Sequence, residues 1–544
     1  MGKRIAVIGG GCCGLTAIKC CVDENLEPVC FERTDEIGGL WHFTEKVRDN
    51  LGCVMRSTII NTSKEMMCYS DFPIPKEYPN FMHNEKVWEY FKLYMDQFGL
   101  QQYIKYNTEV LHVKPSSDFE KTGQWKVDVR DHVTNEVTKH VFDGVLVCTG
   151  HHAAKHEPKF AGQEEFQGRI LHSHNYKDSR GFEGKRIVVI GIGNSGGDVA
   201  VELSRCSKVF LSTRRGSWVF NRVFDKGLPL DMVFNTRMYN CMINHLPTSF
   251  LENEVRKKLN SRFDHRLYCL EPSYNVSAQH VMLNDDLPNR ILSGTLTIKA
   301  DVKRFTNTGL EFVDGTSEDN IDVVILATGY KFGFPFIDKS VIDVKMNRIE
   351  LFKYMFPPDL AKPTLAVIGC IQPNGAIMPI AELQCRLAAR VFKGDIILPE
   401  KSVMWQDIRE KEAKMAKRFV QTQRHTIQVG FVDFMDQLAE LIGCKPNVLS
   451  MLMSDPKLAL KCWFGPCIPA QYRLTGPGEW SGARDVILTS WERMRHPLQT
   501  KTLPEGPETC KSSLPTKLII MVVILAMLYM FLFGTCCSQH HSHG

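Results

Sequence analysis

The sequence predicts an α/β fold with two Rossmann-like domains, the second inserted into the first, and a C-terminal transmembrane helix. Two matching segments predict the domains: residues 3–8 (KRIAVI) and 185–190 (KRIVVI) each lead into a G-x-G-x-x-G turn. A short apolar run followed by such a turn and a helical pattern is typical of the start of a βαβ unit. The third observation is the apolar run 518–533, which contains no charged side chain.

The two glycine motifs predict two dinucleotide sites. In such a motif the first glycine permits a tight turn, the second lets the backbone approach a pyrophosphate, and the third allows close packing of helix on strand. The N-terminus of the following helix offers free amides to the phosphates. One copy is a weak signal, but two copies with the same flanking pattern are much more specific. The expected contacts are Gly9, Gly10, Gly11, Cys12, Cys13 and Gly14 at one site, and Gly191, Gly193, Asn194, Ser195, Gly196, Gly197 and Asp198 at the other.

The residues expected to face the ribose differ in charge between the two copies. Glu32 and Arg214 each stand 23 residues beyond the first glycine of their motif. A carboxylate accepts hydrogen bonds from free ribose hydroxyls, whereas an arginine neutralises a 2′-phosphate. We therefore predict FAD at the first site and NADPH at the second, where Thr213 and Arg214 bind the 2′-phosphate.

Short buried strands that end in glycine, 145–150 and 323–329, indicate where the chain crosses between the domains. Between 216 and 290 the chain shows helical patches without regular βαβ spacing, which predicts a helical insertion. The predicted divisions are 1–154 for the FAD domain, 155–330 for the inserted NADPH domain, 331–445 for the rest of the FAD domain, 446–510 for a C-terminal region and 511–537 for a membrane anchor.

Composition limits the classes of partner. The formal net charge of +5 is small for 544 residues, and no basic cluster with interleaved aromatic side chains indicates nucleic-acid binding. No His/Cys cluster has zinc-ligand spacing, so we expect no metal, and nothing indicates an oligomeric state. The run 518–537 is about the length that spans a bilayer. It predicts a single C-terminal anchor in the endoplasmic reticulum membrane, with the catalytic region facing the cytoplasm.

A segment between the two motifs resembles a known fingerprint. Phe166, Gly168, His172 and Tyr176 match the pattern FxGxxxHxxx[YFW] of the class B flavin monooxygenases. The chain as a whole resembles the vertebrate flavin-containing monooxygenases; the matching stretches are 31–41, 61–66, 193–198, 327–330, 472–478 and the hydrophobic tail. It departs from that family at Cys13, where a smaller residue is usual, at Ala161 and at Asn374.

The resemblance implies a reaction and a set of site residues. NADPH reduces FAD, the reduced flavin takes up O2 as a C4a-hydroperoxyflavin, and a small lipophilic amine or sulfide attacks its distal oxygen. This chemistry requires a dry pocket and fixed hydrogen-bond donors rather than a protein nucleophile. Asn61 is the expected catalytic residue, because its amide can donate towards the flavin and the nicotinamide. Further cofactor contacts are expected from Leu40, Trp41, Ile60, Thr62, Asn194, Ser195 and Gln372.

Three alternatives stay open to different degrees. A flavin disulfide reductase would carry its cysteine pair just after Gly38 and Gly39, where Leu40 and Trp41 stand instead. Baeyer–Villiger oxygenation of ketones uses the same oxygenated flavin, and the fingerprint does not separate it from oxygenation of nitrogen or sulfur. A weakly coupled NADPH oxidase or a non-catalytic nucleotide-binding scaffold is the third.

Overall fold

The computed structural model describes residues 2–420 and 425–502. The chain divides into two units, 1–497 and 498–544, and all the elements given below belong to the first unit. Among the described residues the strands, in chain order, are β1 Arg4–Ile8, β2 Glu27–Phe31, β3 Ile104–Lys105, β4 Thr108–Pro115, β5 Trp125–Asp131, β6 Val137–Phe142, β7 Gly144–Val147, β8 Ala154–Lys155, β9 Arg169–His172, β10 Arg186–Ile190, β11 Lys208–Ser212, β12 Val219–Phe220, β13 Met282–Leu283, β14 Leu296–Lys299, β15 Val302–Phe305, β16 Leu310–Phe312, β17 Ser317–Glu318, β18 Val323–Leu326, β19 Tyr330–Lys331, β20 Leu365–Val367, β21 Gln372–Pro373 and β22 Gln428–Val429.

The helices lie between and after these strands. Within the same described part of the chain they are α1 Cys12–Asp23, α2 Lys64–Met67, α3 Asn84–Gln97, α4 Phe119–Thr122, α5 Asn194–Leu203, α6 Leu230–Phe234, α7 Arg237–His245, α8 Thr248–Asn260, α9 Leu287–Leu292, α10 Ile377–Lys393, α11 Lys401–Arg418, α12 Phe431–Ile442, α13 Val448–Ser454, α14 Pro456–Phe464 and α15 Ala483–Arg495.

The first large sheet is parallel throughout, with the strand order β20-β7-β1-β2-β3. Its central strand β1 is apolar after Arg4 and buried on both faces, as expected of a parallel sheet covered by helices. Helix α1 follows β1 and packs against α10, where the Cys385 thiol donates to the carbonyl of Cys13 at 3.7 Å. The core around this sheet extends to the C-terminal helices α12, α14 and α15.

The second large sheet repeats this design. Its order is β14-β11-β10-β18-β9, again with every neighbouring pair parallel. Separate apolar clusters cover its two faces. The α/β class predicted from the two motifs is therefore confirmed.

The chain passes between the two sheets twice, and both passages lie side by side. It leaves the first sheet after β7, forms the second sheet, and returns to the first at β20. On the way out β8 pairs antiparallel with β19 on the way back, with Ala154 opposite Lys331 and Lys155 opposite Tyr330. The segment 216–290 contains α6, α7, α8 and part of α9, together with the short strands β12 and β13.

The predicted membrane anchor, 511–537, lies outside the described residues. Within 2–420 and 425–502, no helix is both long and apolar enough to cross a membrane.

Candidate active site at the junction of two nucleotide turns

The three glycines of the first turn meet different structural requirements. Gly9 has φ +101°, a conformation that favours glycine. A Cβ on Gly14 would lie 1.8 Å from the carbonyl oxygen of Gly9, so this glycine is required for close packing of α1 on β1. Gly11 is different, because its backbone is extended and its added Cβ would meet nothing nearer than the Gly39 Cα at 3.8 Å.

The second turn repeats the same division. Gly191 has φ +110°, and a Cβ on Gly196 would lie 1.9 Å from the Gly191 carbonyl oxygen. A Cβ on Gly193 would meet no atom within 4 Å. Neither backbone conformation nor protein packing requires glycine at Gly11 or Gly193, so each leaves open space at the N-terminus of a helix. Such a space suits a dinucleotide pyrophosphate, for which the helix amides would be the donors.

Glu32 follows β2 and is held in a fixed orientation. One carboxylate oxygen accepts a hydrogen bond from the Gly10 amide at 2.6 Å, and the other accepts from the amide and hydroxyl of Thr34, both at 2.8 Å. Each carboxylate oxygen has more than one lone-pair site, so the group can still accept from ribose hydroxyls. The side chain is buried beside the first turn, where the sequence predicts the FAD ribose.

Thr213 and Arg214 follow β11 in the second sheet, and Thr213 is the structural counterpart of Glu32, because Ser212 pairs with Ile190 as Phe31 pairs with Ile8. The Thr213 hydroxyl accepts from the Gly216 amide at 3.1 Å, which shapes the turn. Arg214 and Arg215 are exposed, and neither forms an ion pair with any residue in the described part of the chain. Two adjacent guanidinium groups without carboxylate partners are suited to a phosphate monoester.

The turn that carries Leu40 and Trp41 lies directly on the first glycine motif. The Gly38 amide donates to the Gly10 carbonyl at 3.1 Å. Leu40 and Trp41 then form a short 3₁₀ turn, Gly39–Trp41, and both side chains are half-buried. The position after Gly38 and Gly39 therefore holds an apolar turn rather than a cysteine pair.

Asn61 is oriented by a residue of the helical insertion. The Nε of Arg222 donates to Asn61 Oδ1 at 3.0 Å. The backbone amide and the Nη1 of Arg222 donate to the Asp285 carboxylate, each at 3.2 Å, and hold the arginine in place. Because a guanidinium only donates, the atom that faces it must be the amide oxygen. The Asn61 NH2 group makes no hydrogen bond within residues 2–420 and 425–502, so it is available as a donor.

The strand beside Asp285 also contacts the second nucleotide turn. The Leu283 amide donates to Asn194 Oδ1 at 2.8 Å, and the Asn284 side chain donates to Asp198 at 2.8 Å. Burial raises the pKa of Asp198 to about 6, against the opposing effect of Arg222. Residues 283–285 thus join Asn61 to the N-terminal turns of α5, bringing together predicted residues from both nucleotide segments.

Other predicted residues have different surroundings. Ile60 is buried, Thr62 is half-buried and Ser195 is exposed. Gln372 lies on β21 and accepts from Gln428 at 2.5 Å. Gly197 packs against Met282, whose methyl carbon would lie 2.0 Å from an added Cβ.

The adjacent thiols of Cys12 and Cys13 lie 3.9 Å apart at the start of α1. Hydrogen bonding to Cys13 lowers the pKa of Cys12, whereas that contact and burial raise the pKa of Cys13 well above its usual value. A Cβ on Gly369 would come within 2.4 Å of the Cys13 thiol. The absence of a side chain at Gly369 therefore accommodates the bulk of Cys13.

The fingerprint residues of the linker have structural contacts. His172 Nδ1 accepts from the His174 amide at 3.1 Å and Nε2 lies 3.1 Å from the Gly329 carbonyl, while burial lowers the pKa of His172 to about 4. Phe166 packs on Gly168, where a Cβ would lie 2.5 Å from the ring. The contact of His172 with Gly329 therefore joins this segment to the part of the chain that returns to the first sheet.

Arg222, Asn284 and Asp285 were missed by the sequence-based predictions. Arg222 contacts a residue 161 positions away, a separation at which no local pattern indicates a contact. Asn284 has a local signature, since its Oδ1 accepts from the amides of Asp286 and Leu287 and forms a turn before α9. That signature predicts a turn, not a functional role.

Comparisons with known proteins agree with this geometry. The flavin-binding monooxygenase-like family model matches residues 2–533. The chain is 51% identical over 529 residues to flavin-containing monooxygenase 5 of Homo sapiens, covering 97% of this chain and 99% of that protein. It is 47% identical over 537 residues to dimethylaniline monooxygenase [N-oxide-forming] 2 of Cavia porcellus, covering 98% and 100%. The solved structure of S-allyl-L-cysteine S-oxygenase from Allium sativum superposes with a TM-score of 0.63 at 22% identity, covering 91% of this chain and 99% of that one.

The fold and the two nucleotide turns define a protein with two dinucleotide-binding domains, and the family match makes it a flavoprotein monooxygenase. The chain belongs to the flavin-binding monooxygenase-like family. It is an NADPH-dependent flavin-containing monooxygenase, and FAD and NADPH are its cofactors. The family and both cofactors predicted from the sequence are confirmed.

Proposed function

We propose that the enzyme uses NADPH and O2 to oxygenate soft nucleophilic nitrogen or sulfur atoms of small lipophilic molecules. A relative with 47% identity over almost the full length is named as forming an N-oxide. Bound FAD supplies the oxygenating chemistry, and the protein binds the cofactors, orients them and excludes water.

Asn61 is the catalytic residue in this proposal, and its hydrogen bond with Arg222 is the observation that carries it. Arg222 occupies the amide oxygen, which leaves the NH2 group as the donor towards flavin and nicotinamide. A fixed donor needs no reorganisation during the reaction. The FAD contacts that we propose are Gly9, Gly10, Gly11, Cys12, Cys13, Gly14, Glu32, Leu40, Trp41, Ile60, Thr62 and Gln372; those for NADPH are Gly191, Gly193, Asn194, Ser195, Gly196, Gly197, Asp198, Thr213 and Arg214.

The test measures NADPH consumption, oxygenated product and H2O2 with a tertiary amine, a thioether and a ketone. We expect product in proportion to NADPH with the amine or the thioether. Ester formation from the ketone at a comparable rate would favour the Baeyer–Villiger alternative. H2O2 equal to NADPH with all three compounds would leave only an NADPH oxidase.

Asn61→Ser should retain FAD but release a larger fraction of the oxygen as H2O2, because serine offers a shorter and differently placed donor. Unchanged partition between product and H2O2 would return Asn61 to a structural role.

For the domain organisation we propose divisions at 154/155 and 330/331. The antiparallel pairing of Ala154–Lys155 with Tyr330–Lys331 supports them, since it marks both passages between the sheets. The remaining proposed divisions are 331–445, 446–510 and 511–537, with a helical insertion at 216–290.

We further propose that residues 511–537 anchor the enzyme in the endoplasmic reticulum membrane, with the catalytic region on the cytoplasmic side. The uncharged run 518–533 supports this proposal. Truncation after residue 510 should move the enzyme from the membrane to the soluble fraction after carbonate washing. Unchanged sedimentation with membranes would refute the anchor.

A further inference from the structure

The loop that carries Asn61 has a second attachment to the helical insertion. Asp231, in the first turn of α6, accepts from the amide of Ser63 at 2.7 Å and from its hydroxyl at 3.1 Å, both at Oδ2. Its other oxygen accepts from the Met232 amide at 3.0 Å. Ser63 is fully buried and Asp231 is half-buried, so the contact is partly shielded from solvent.

The Ser63 hydroxyl does not cap the helix that follows it, although Ser63 stands at the N-cap position. Ser63 is the residue before α2, where a serine side chain commonly accepts a hydrogen bond from the first helical turn. Here the side chain makes no such capping bond, and the amides of Met66 and Met67 donate to the Ser63 backbone carbonyl. The serine therefore connects the loop to α6 rather than stabilising its own helix.

The backbone on either side of the loop is held by a different part of the chain. The Ile60 amide donates to Met82 at 2.9 Å and the Lys64 amide donates to Asn80 at 2.8 Å. Between these two points, the insertion supplies Arg222 to Asn61 and Asp231 to Ser63. One contact orients the Asn61 side chain, and the other fixes the turn two residues further on.

We propose that Asp231 is a positioning residue that acts through Ser63 to hold the Asn61 donor in place, so that the helical insertion controls how completely NADPH oxidation is coupled to oxygenation. This inference rests on the proposed catalytic role of Asn61. A misplaced Asn61 donor would leave flavin binding intact, but a larger share of NADPH oxidation would end in H2O2 instead of product. Burial raises the pKa of Asp231 to about 6, while the hydrogen bonds from Ser63 oppose that shift.

Three variants of the FAD-loaded full-length enzyme test the proposal. Asp231→Ala removes the acceptor, Asp231→Asn keeps one acceptor oxygen for the Ser63 amide, and Ser63→Ala removes only the hydroxyl donor. Asp225→Ala is the matched control, because Asp225 belongs to the same insertion but pairs with Lys258 in solvent. For each variant, flavin content, KM for NADPH and the H2O2 released per NADPH consumed are measured.

We expect Asp231→Ala to raise the H2O2 fraction about threefold to tenfold, the change expected on losing a net hydrogen bond. Flavin content and KM for NADPH should stay at parent values. Asp231→Asn should restore most of the coupling, and the H2O2 fraction of Ser63→Ala should lie between those of the parent and Asp231→Ala. Asp225→Ala should match the parent. A parent-like H2O2 fraction in Asp231→Ala overturns the proposal, and if that variant does not fold, a parent-like fraction in Ser63→Ala overturns it.

Asn61→Ser, measured in parallel, separates the two hypotheses. If it leaves coupling unchanged, the catalytic role of Asn61 fails. If it uncouples the enzyme while Asp231→Ala and Ser63→Ala do not, Asn61 keeps its role and only the positioning role of Asp231 fails.

Discussion

At the scale of single residues, charge and hydrogen-bond capacity divide the two nucleotide sites. Glu32 is a buried acceptor whose carboxylate is oriented by Gly10 and Thr34. Arg214 is an exposed donor without a carboxylate partner in the described part of the chain. Glu32 directly follows β2, whereas Arg214 stands one residue beyond Thr213, the structural counterpart of Glu32, so residues of opposite charge lie beyond the second strands of the two βαβ units.

Arg214→Ala should raise KM for NADPH about 10- to 100-fold, because a charge-assisted hydrogen bond to the phosphate is lost. KM for NADH, which has no 2′-phosphate, should change little. Steady-state kinetics with both coenzymes measures the difference. Arg304→Ala is the control, because this exposed arginine pairs with Glu311 on β16 and should leave both constants unchanged. Equal weakening of both coenzymes would contradict the phosphate role.

At the scale of elements, each strand–turn–helix unit has the glycine that packing requires and the glycine beside open space at separate positions. The third glycine of each motif brings the helix against the strand, whereas the second leaves space that the protein does not fill. We therefore expect folding and cofactor binding to depend on different glycines. Single substitutions can separate these two requirements.

Gly11→Ala should fold but contain little FAD, because its Cβ would meet the bound pyrophosphate rather than the protein. Gly193→Ala should fold, keep FAD and bind NADPH more weakly. Flavin absorbance per protein, circular dichroism and NADPH titration distinguish these outcomes. Full flavin content in Gly11→Ala would show that the space beside Gly11 is not the pyrophosphate site.

Gly14→Ala is the matched packing variant, since its Cβ would lie 1.8 Å from the Gly9 oxygen. We expect it to accumulate as unfolded or aggregated protein. A folded Gly14→Ala enzyme with a parent-like melting temperature would contradict this packing requirement.

At the scale of the whole first unit, a buried ion network connects the C-terminal region to the first sheet. Arg473 pairs with Glu382 of α10 at 2.7 Å and with Asp71 at 3.0 Å, and Asp71 also pairs with Lys19 of α1 at 2.8 Å. The Ser70 hydroxyl accepts from Arg473 Nε at 2.6 Å. Residues before the first passage between sheets and residues beyond α14 thus share one set of charges.

Arg473→Met should lower the stability of the unit by about 3–5 kcal/mol, because it leaves Glu382 and Asp71 as buried carboxylates without that partner. Thermal unfolding, monitored through the release of flavin, measures this loss of stability. Arg484→Met breaks an exposed pair with Asp455 and should change the melting temperature little. Equal melting temperatures for both variants would show that the network contributes little.

Features that depend on residues close together in the chain could be predicted from the sequence, whereas contacts between distant positions could not. The glycine turns belong to segments of a few residues whose geometry is set by strand, turn and helix, and local spacing is enough to predict them. The ribose role of Glu32 and the phosphate role of Arg214 stay predictions. The contacts of Arg222 with Asn61 and of Asp231 with Ser63 join positions 161 and 168 residues apart. No local pattern contains such information, because both contacts require the insertion to fold back over the loop.

By itself the sequence determined the α/β class, the two nucleotide turns, the identity of the cofactors and the family, since strand periodicity, glycine spacing and side-chain charge are all local properties. The tertiary structure decided which end of the Asn61 amide is available and what holds the loop that carries it. Those features depend on the packing of the helical insertion against both nucleotide turns, where residues distant in the chain satisfy one another's hydrogen bonds.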